Sequence, residues 1–191
     1  CRRPDQHHDQ VQPVTLEKGR SISVREMVRD DIAAVAQIER SVSPEPWSIA
    51  LFEGEFDVAA HTRHWLVAED QAAKTVVGFI GMMFVNGTCE GHVMNIAVAP
   101  GYRRSGIAAA LCAEAFDHAA CIGVDALTLE VRASNDPAIS LYRRFGFAPV
   151  GNRPGYYTNS DSTKEDGLIM WVHDNIERSA RRRVSSAEKQ P

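Results

Sequence analysis

Two stretches of this 191-residue chain carry side chains whose types and spacing could do chemistry. The first is RRSGIA, residues 103–108, between the apolar run Ile96-Ala97-Val98 and an alanine-rich stretch with helical spacing. A helix that opens there presents unpaired backbone amides and the positive end of its dipole, which suits an anion. Ser105 is small, and Gly106 has no side chain to keep a ligand off the backbone. Arg103 and Arg104 add positive charge where the dipole is already positive, a conflict that an anionic ligand would remove. A phosphate cradle is one reading; a solvated arginine turn capped by Ser105 is the other. The dinucleotide pattern G-x-G-x-x-G is absent, and no G-K-S/T phosphate loop follows.

The second stretch is LEVRASNDPAISLYRRFGF, residues 129–147. Strand alternation puts Leu127, Leu129 and Val131 on one sheet face and Thr128 and Glu130 on the other. A carboxylate in so apolar a strand stands at an exposed edge or faces a cleft. Asn135-Asp136-Pro137 starts a helix, with a capping side chain ahead of a first-turn proline. Tyr142 falls one and a half turns into it, where it can pack on the core beside Leu141 and Phe145. The side chains of Glu130 and Tyr142 are expected on the same side of the sheet; an enzyme reading that uses both would collapse if they stood on opposite sides.

The elements that must position these groups follow from periodicity. Residues 1–20 are polar, without a period, and read as a disordered arm or linker. Ile22 and Val24 alternate like a first strand, and Asp30 or Asp31 can cap a helix bearing Ile32, Val35, Ala36 and Ile38. SPEPWS ends it, and a second helix from about Ser48 holds Leu51, Phe52 and Phe56. Strands follow at 65–68 and from 76 towards the turn Asn86-Gly87, then at 92–98. A helix spans about 106–121, a strand 126–131, a helix about 137–144, and two strands begin near Phe147 and Leu168. The chain is expected to fray after His173. The result is an α/β fold: one domain over 21–174, with antiparallel hairpins first and β-α-β crossovers later, and a polar, basic tail over 175–191.

Composition narrows the function classes. A hydrophobic fraction of 44% and a charged fraction of 24% suit an ordinary globular domain. A formal charge of −4 argues against nucleic-acid binding, and no apolar run has a membrane span's length. No signal core is visible, and the cysteines form no C-x-x-C pair, which points to reduced thiols and a cytoplasmic setting. Cys1 in place of a methionine is compatible with a fusion or processing boundary. His61 and His64 have metal-like spacing but no third ligand near, so they read as an ordinary surface pair and no metal is expected. Glu39, Glu45, Glu53, Glu55 and Asp57 form a solvated face, or an acidic rim for a basic peptide.

With these residues in view, NIAVAPGYRRSGIAAAL resembles the acetyl-coenzyme A motif of the GCN5-related N-acetyltransferase (GNAT) superfamily, Q/R-x-x-G-x-G/A, here Arg103, Gly106 and Ala108. The resemblance implies a GNAT-like domain with a mixed, mostly antiparallel central sheet flanked by helices. It also implies that Arg103, Arg104, Ser105, Gly106, Ile107 and Ala108 hold the coenzyme pyrophosphate. Ile96, Ala97 and Val98 would line the pantetheine arm. L-E-V-R-x-S-N and A-x-x-L-Y resemble the RimI-type ribosomal-protein alanine N-acetyltransferase branch. That implies Glu130 as general base, Tyr142 as general acid, Asn135 beside the coenzyme, and Trp47, Tyr156 and Tyr157 near the peptide. The implied partner is a protein N-terminus, the alanine of the basic small-subunit ribosomal protein numbered eighteen. Departures are Pro154-Gly155 in the peptide-side loop and Ala108 where many members have glycine. Chemistry agrees: an α-amine of pKa about 7.8 is about one-third unprotonated at pH 7.5, a lysine only about 0.1%. A small-molecule amine, a lysine side chain, or a non-catalytic coenzyme-binding module remain alternatives.

Overall fold

The computed structural model describes residues 14–16, 20–58, 61–159 and 161–179. Its strands are β1 (Val14–Leu16), β2 (Arg20–Glu26), β3 (Arg63–Asp70), β4 (Thr75–Phe84), β5 (Glu90–Val98), β6 (Ala126–Arg132), β7 (Ala148–Thr158) and β8 (Lys164–Val172). All eight join one sheet in the order β1-β2-β3-β4-β5-β6-β8-β7. Every neighbouring pair is antiparallel except β5–β6, which is parallel and joined by a helical crossover. The mixed, mostly antiparallel α/β sheet implied by the resemblance is the one observed.

Alternation divides the core in two. Leu66, Ala68, Ile80, Met82, Leu127 and Leu129 meet Leu111, Ala115 and Phe116 of α3 (Ile107–Cys121) and Ile139 and Tyr142 of α4 (Asp136–Arg144). The other side chains of the same strands, Trp65, Val67, Phe79 and Ala97, meet α1 (Ile32–Val42) and α2 (Ile49–Phe56). Helices thus cover both faces, α3 and α4 on one, α1 and α2 on the other.

Local signals behave mostly as expected. The Ser48 hydroxyl accepts the Leu51 amide at 3.1 Å, and Asn135 Oδ1 accepts the Ala138 amide at 3.2 Å, so each starts its helix as a cap. Asp31 departs from the capping role: it accepts the Val28 amide and binds Arg25 instead of capping α1. In α2, Phe52 is buried while Leu51 is 44% exposed, because neighbouring helical positions point about 100° apart.

Both ends hold more structure than their composition indicates. Val14–Leu16, inside the expected arm, pairs antiparallel with β2. Residues 175–179 are helical, and Asn175 and Ser179 are buried where fraying was expected. The Asn175 amide donates to the carbonyls of Phe116 and Val124, tying the segment to α3. The rest of the arm and the tail beyond 179 lies outside the described residues.

Candidate active site

The sheet parts where the two stretches meet. β5 and β6 pair from Glu90↔Ala126 to Val93↔Leu129 and no further. Beyond that point β5 follows β4, with Ile80↔Ile96 and Gly78↔Val98, while β6 follows β8, with Glu130↔Ile169. A bulge at Met94, where Gly81↔Asn95 gives way to Met82↔Val93, turns β5 away. An opening therefore lies at the carboxyl ends of two parallel strands, the usual ligand position in α/β sheets. Ile96, Ala97 and Val98 line its β5 edge, Ile96 and Val98 half-buried towards α3 and Ala97 buried towards α1.

The loop from that edge to α3 is built for close approach. Pro100–Tyr102 make one 3-10 turn, then Arg104 and Gly106 take positive φ angles of 60° and 87°. Ser105 is buried and its hydroxyl donates to the Tyr102 carbonyl, so it does not cap the helix. No side chain caps α3, and its first amides remain for an anion. Arg103 and Arg104 are exposed at that end, and the Arg103 Nε lies 3.4 Å from the Val98 carbonyl. Beneath, Ile107 is buried, Ala108 half-buried, and the Tyr102 hydroxyl donates to Asp70 at 3.0 Å. Gly78 lets α3 sit close: a Cβ there would lie 3.1 Å from the Ala97 carbonyl and 3.2 Å from Ile107.

Glu130 stands at the first β6 position past the parting. Arg153 Nη1 donates to its Oε1 at 2.8 Å, and His92 Nε2 lies 3.2 Å from its Oε2. Burial holds the His92 imidazole below its ordinary value, against the upward pull of Glu130.

Tyr142 packs on the other face. Its ring is 4% exposed and lies 5.7 Å from Phe147. Burial raises its pKa far above the ordinary phenol value, with small additions from Cys112 and Tyr157, so it stays protonated. The expectation of one shared face is therefore corrected: Leu129 and Val131 point with Tyr142, and Glu130 points away. Tyr157 lies in between, its pKa pushed up to about 12 by burial, then by Tyr156 and the Glu130 carboxylate.

Pro154-Gly155 reshapes the neighbouring strand. The register jumps from Arg153↔Gly167 to Tyr157↔Glu165, and the Gly155 amide donates to Asp166. This bulge lays Tyr156 and Tyr157 over Gly167, where a Cβ would sit 3.1 Å from the Tyr156 ring. Arg153 stacks on Tyr156 at 4.1 Å and Arg132 on Tyr157 at 4.5 Å. Trp47 is half-buried against Phe52 and Trp65, at 5.3 and 6.1 Å between ring centroids. It anchors the α1–α2 connection, with the Trp47 amide near the buried Glu39 carboxylate, whose pKa burial raises. Asn135 caps α4 and is exposed beside the opening's α4 side.

Sequence reading missed His92 and the engagement of Arg153 with Glu130. A histidine at one β5 position carries no signal until the register of β5 on β6 is known. The histidine pair is also corrected: His64 stacks on His118, centroids 3.7 Å apart, while His61 lies towards Asn86. Among the described residues no three His, Cys, Asp or Glu side chains gather to hold a metal ion. Of the acidic cluster, Glu55 pairs with Arg63, Asp57 with Arg29, and Glu39 is buried.

Known proteins resemble this chain in sequence and fold. The model of the Acetyltransferase (GNAT) family matches residues 32–147. A Bacillus subtilis protein, provisionally named a ribosomal protein bS18-alanine N-acetyltransferase, is 37% identical over 80% of this chain and 96% of its own length. The ribosomal protein bS18-alanine N-acetyltransferase of Escherichia coli K12 is 35% identical over 73% of this chain and 89% of its own. The crystal structure of the ribosomal-protein-S18-alanine N-acetyltransferase from Escherichia coli superposes with a TM-score of 0.72, at 30% identity, over 80% of this chain and 94% of that one.

Proposed function

Because this chain belongs to the acetyltransferase (GNAT) family, we propose that it carries acetyl from acetyl-coenzyme A to the α-amine of a protein N-terminus, that of ribosomal protein bS18 beginning with alanine. The observation that carries the reading is the opening between β5 and β6, with a carboxylate at its edge on one face and a protonated phenol on the other. The relatives named for this activity supply the substrate.

The α3 entry, Arg103 to Ala108, holds the coenzyme's diphosphate on backbone amides and arginine charge. The backbone of Ile96, Ala97 and Val98 lines the pantetheine arm along the unpaired β5 edge, and Asn135 borders it from α4. Bound there, acetyl-coenzyme A supplies an acetyl group on a thioester. Tyr156, Tyr157 and the connection anchored by Trp47 border the amine's approach on the Glu130 face.

The Glu130 carboxylate takes the proton that the amine loses as its nitrogen bonds the acetyl carbon. Tyr142 gives its phenolic proton to the sulfur as the carbon–sulfur bond breaks. Arg153 now fills the side of Glu130 that the amine must reach, and its exposed guanidinium gives way. An α-amine suits this modest base far better than lysine, given their ordinary pKa values of about 7.8 and 10.4. The work is mainly the placement of two reactants for direct attack.

No helix among the described residues is long and apolar enough to cross a membrane, which is compatible with action in the cytoplasm on a ribosomal protein. The test is mass spectrometry of peptides incubated with acetyl-coenzyme A. A peptide beginning Ala-Arg is expected to gain one acetyl group at its N-terminus, and Glu130→Gln to slow it by about 10²-fold or more. Faster acetylation of polyamines or lysine side chains would replace this reading with the small-amine alternative.

A further inference from the structure

His92 stands on β5 opposite Thr128 of β6, where the strands still pair, one position before they part. Its Nε2 lies 3.2 Å from Glu130 Oε2, and both side chains are only 22% exposed. On the other carboxylate oxygen sits Arg153, 47% exposed on a long flexible stem. The two partners differ in kind. Arg153 can leave, whereas the imidazole is short, has two rotatable bonds, and is rooted in the paired part of the sheet.

We infer that His92 is a positioning residue for Glu130: its Nε2–H holds one carboxylate oxygen so that the other still faces the opening once Arg153 has moved. This rests on the reading of Glu130 as the base. An ionised carboxylate accepts hydrogen bonds only, so a neutral ring can meet it in one way, as the Nε2–H tautomer. Burial favours that neutral form. A neutral donor orients Glu130 without adding a second full positive charge beside Arg153. Without His92, the displacement of Arg153 would leave the Glu130 side chain free to rotate between staggered positions on an open sheet edge. Arg132 does not replace it, being taken up by Glu165, Asn159 and the Thr158 carbonyl.

The experiment compares His92→Leu, His92→Gln, Glu130→Gln and the double variant His92→Leu/Glu130→Gln in the full chain. Steady-state kinetics use an Ala-Arg peptide, with calorimetry of coenzyme A binding and a thermal melt for each protein. His92→Leu is expected to lower kcat by about tenfold or more, with coenzyme A affinity and peptide KM unchanged. His92→Gln, which keeps an N–H donor at similar reach, should restore kcat to within about threefold of the parent. In the Glu130→Gln background, His92→Leu should add no further loss, because its effect passes through the carboxylate. Parental kcat in His92→Leu overturns the inference. So does a Gln variant as slow as Leu, which would mean that the imidazole itself carries the proton, and so does a full additional loss in the double variant. Parental turnover in Glu130→Gln overturns the base assignment separately, and identifies that step as the one that failed.

Discussion

Glu130 and Tyr142 point to opposite faces of one sheet beside the parting of β5 from β6, and the proposed mechanism asks both to reach a single bond from its two sides. The residue types were legible in the sequence because a carboxylate in an apolar strand and a tyrosine in a short capped helix stand out against their neighbours. Their relative facing was misjudged, since alternation fixes Glu130 against Leu129 but says nothing of a gap between strands. His92 was invisible for a related reason: its meeting with Glu130 joins residues 38 apart through an unguessable register. The phenol's role is testable at this scale. Tyr142→Phe removes one oxygen from a ring already seated in the core, so the fold and coenzyme A affinity should hold. Its kcat should fall by about 10²-fold, the usual worth of a positioned general acid. An unchanged kcat in stopped-flow and steady-state assays would make Tyr142 a packing residue.

At the scale of elements, the helices and most strands were readable from period and caps, and β7 was the least readable. Its Arg153-Pro154-Gly155 bulge breaks alternation, so only its first residues look like a strand. Two glycines show how backbone placement supports the site. Gly81 faces Trp65 across the β3–β4 pair, and a Cβ there would lie 2.3 Å from the indole ring. That ring is 6% exposed and locked against Phe52, Phe79 and Trp47, so it cannot retreat. Gly81→Ala should destabilise the protein by about 1–3 kcal/mol, read as a lower midpoint in urea. Gly106 acts differently, holding φ at 87° at the mouth of α3. Gly106→Ala should cost about 1 kcal/mol of backbone strain and weaken coenzyme A binding in calorimetry, with peptide KM unaffected. Equal affinity in that variant would place the coenzyme elsewhere.

Across the whole molecule, two features lay beyond local pattern: β8 inserting between β6 and β7, and residues 175–179 docking on α3. Both depend on contacts far apart in sequence, as does the stack of His64 on His118 between β3 and α3. That stack makes stability depend on pH. Burial, then the charge of His118, pushes the His64 pKa down to about 3, and burial lowers His118 against the pull of Glu26. Burial lowers His92 in the same sense. A base depressed in the folded state binds fewer protons than the unfolded chain. Its contribution is therefore complete above the unfolded value near 6.5 and is lost as pH falls towards the folded value. Each such imidazole can remove at most about 1.4 kcal/mol per pH unit inside that window. The carboxylates held low, Asp31 and Glu165, lose their contributions only as pH falls below their ordinary values of 3.8 and 4.5, and the raised Glu39 acts in the opposite direction. Between pH 7.5 and 5 the histidines should dominate, and the urea midpoint should fall. His64→Phe keeps a flat ring against His118 but cannot take a proton, so its midpoint should fall distinctly less over the same interval. Parallel declines in parent and variant would mean that this buried pair does not set the acid limit of the fold.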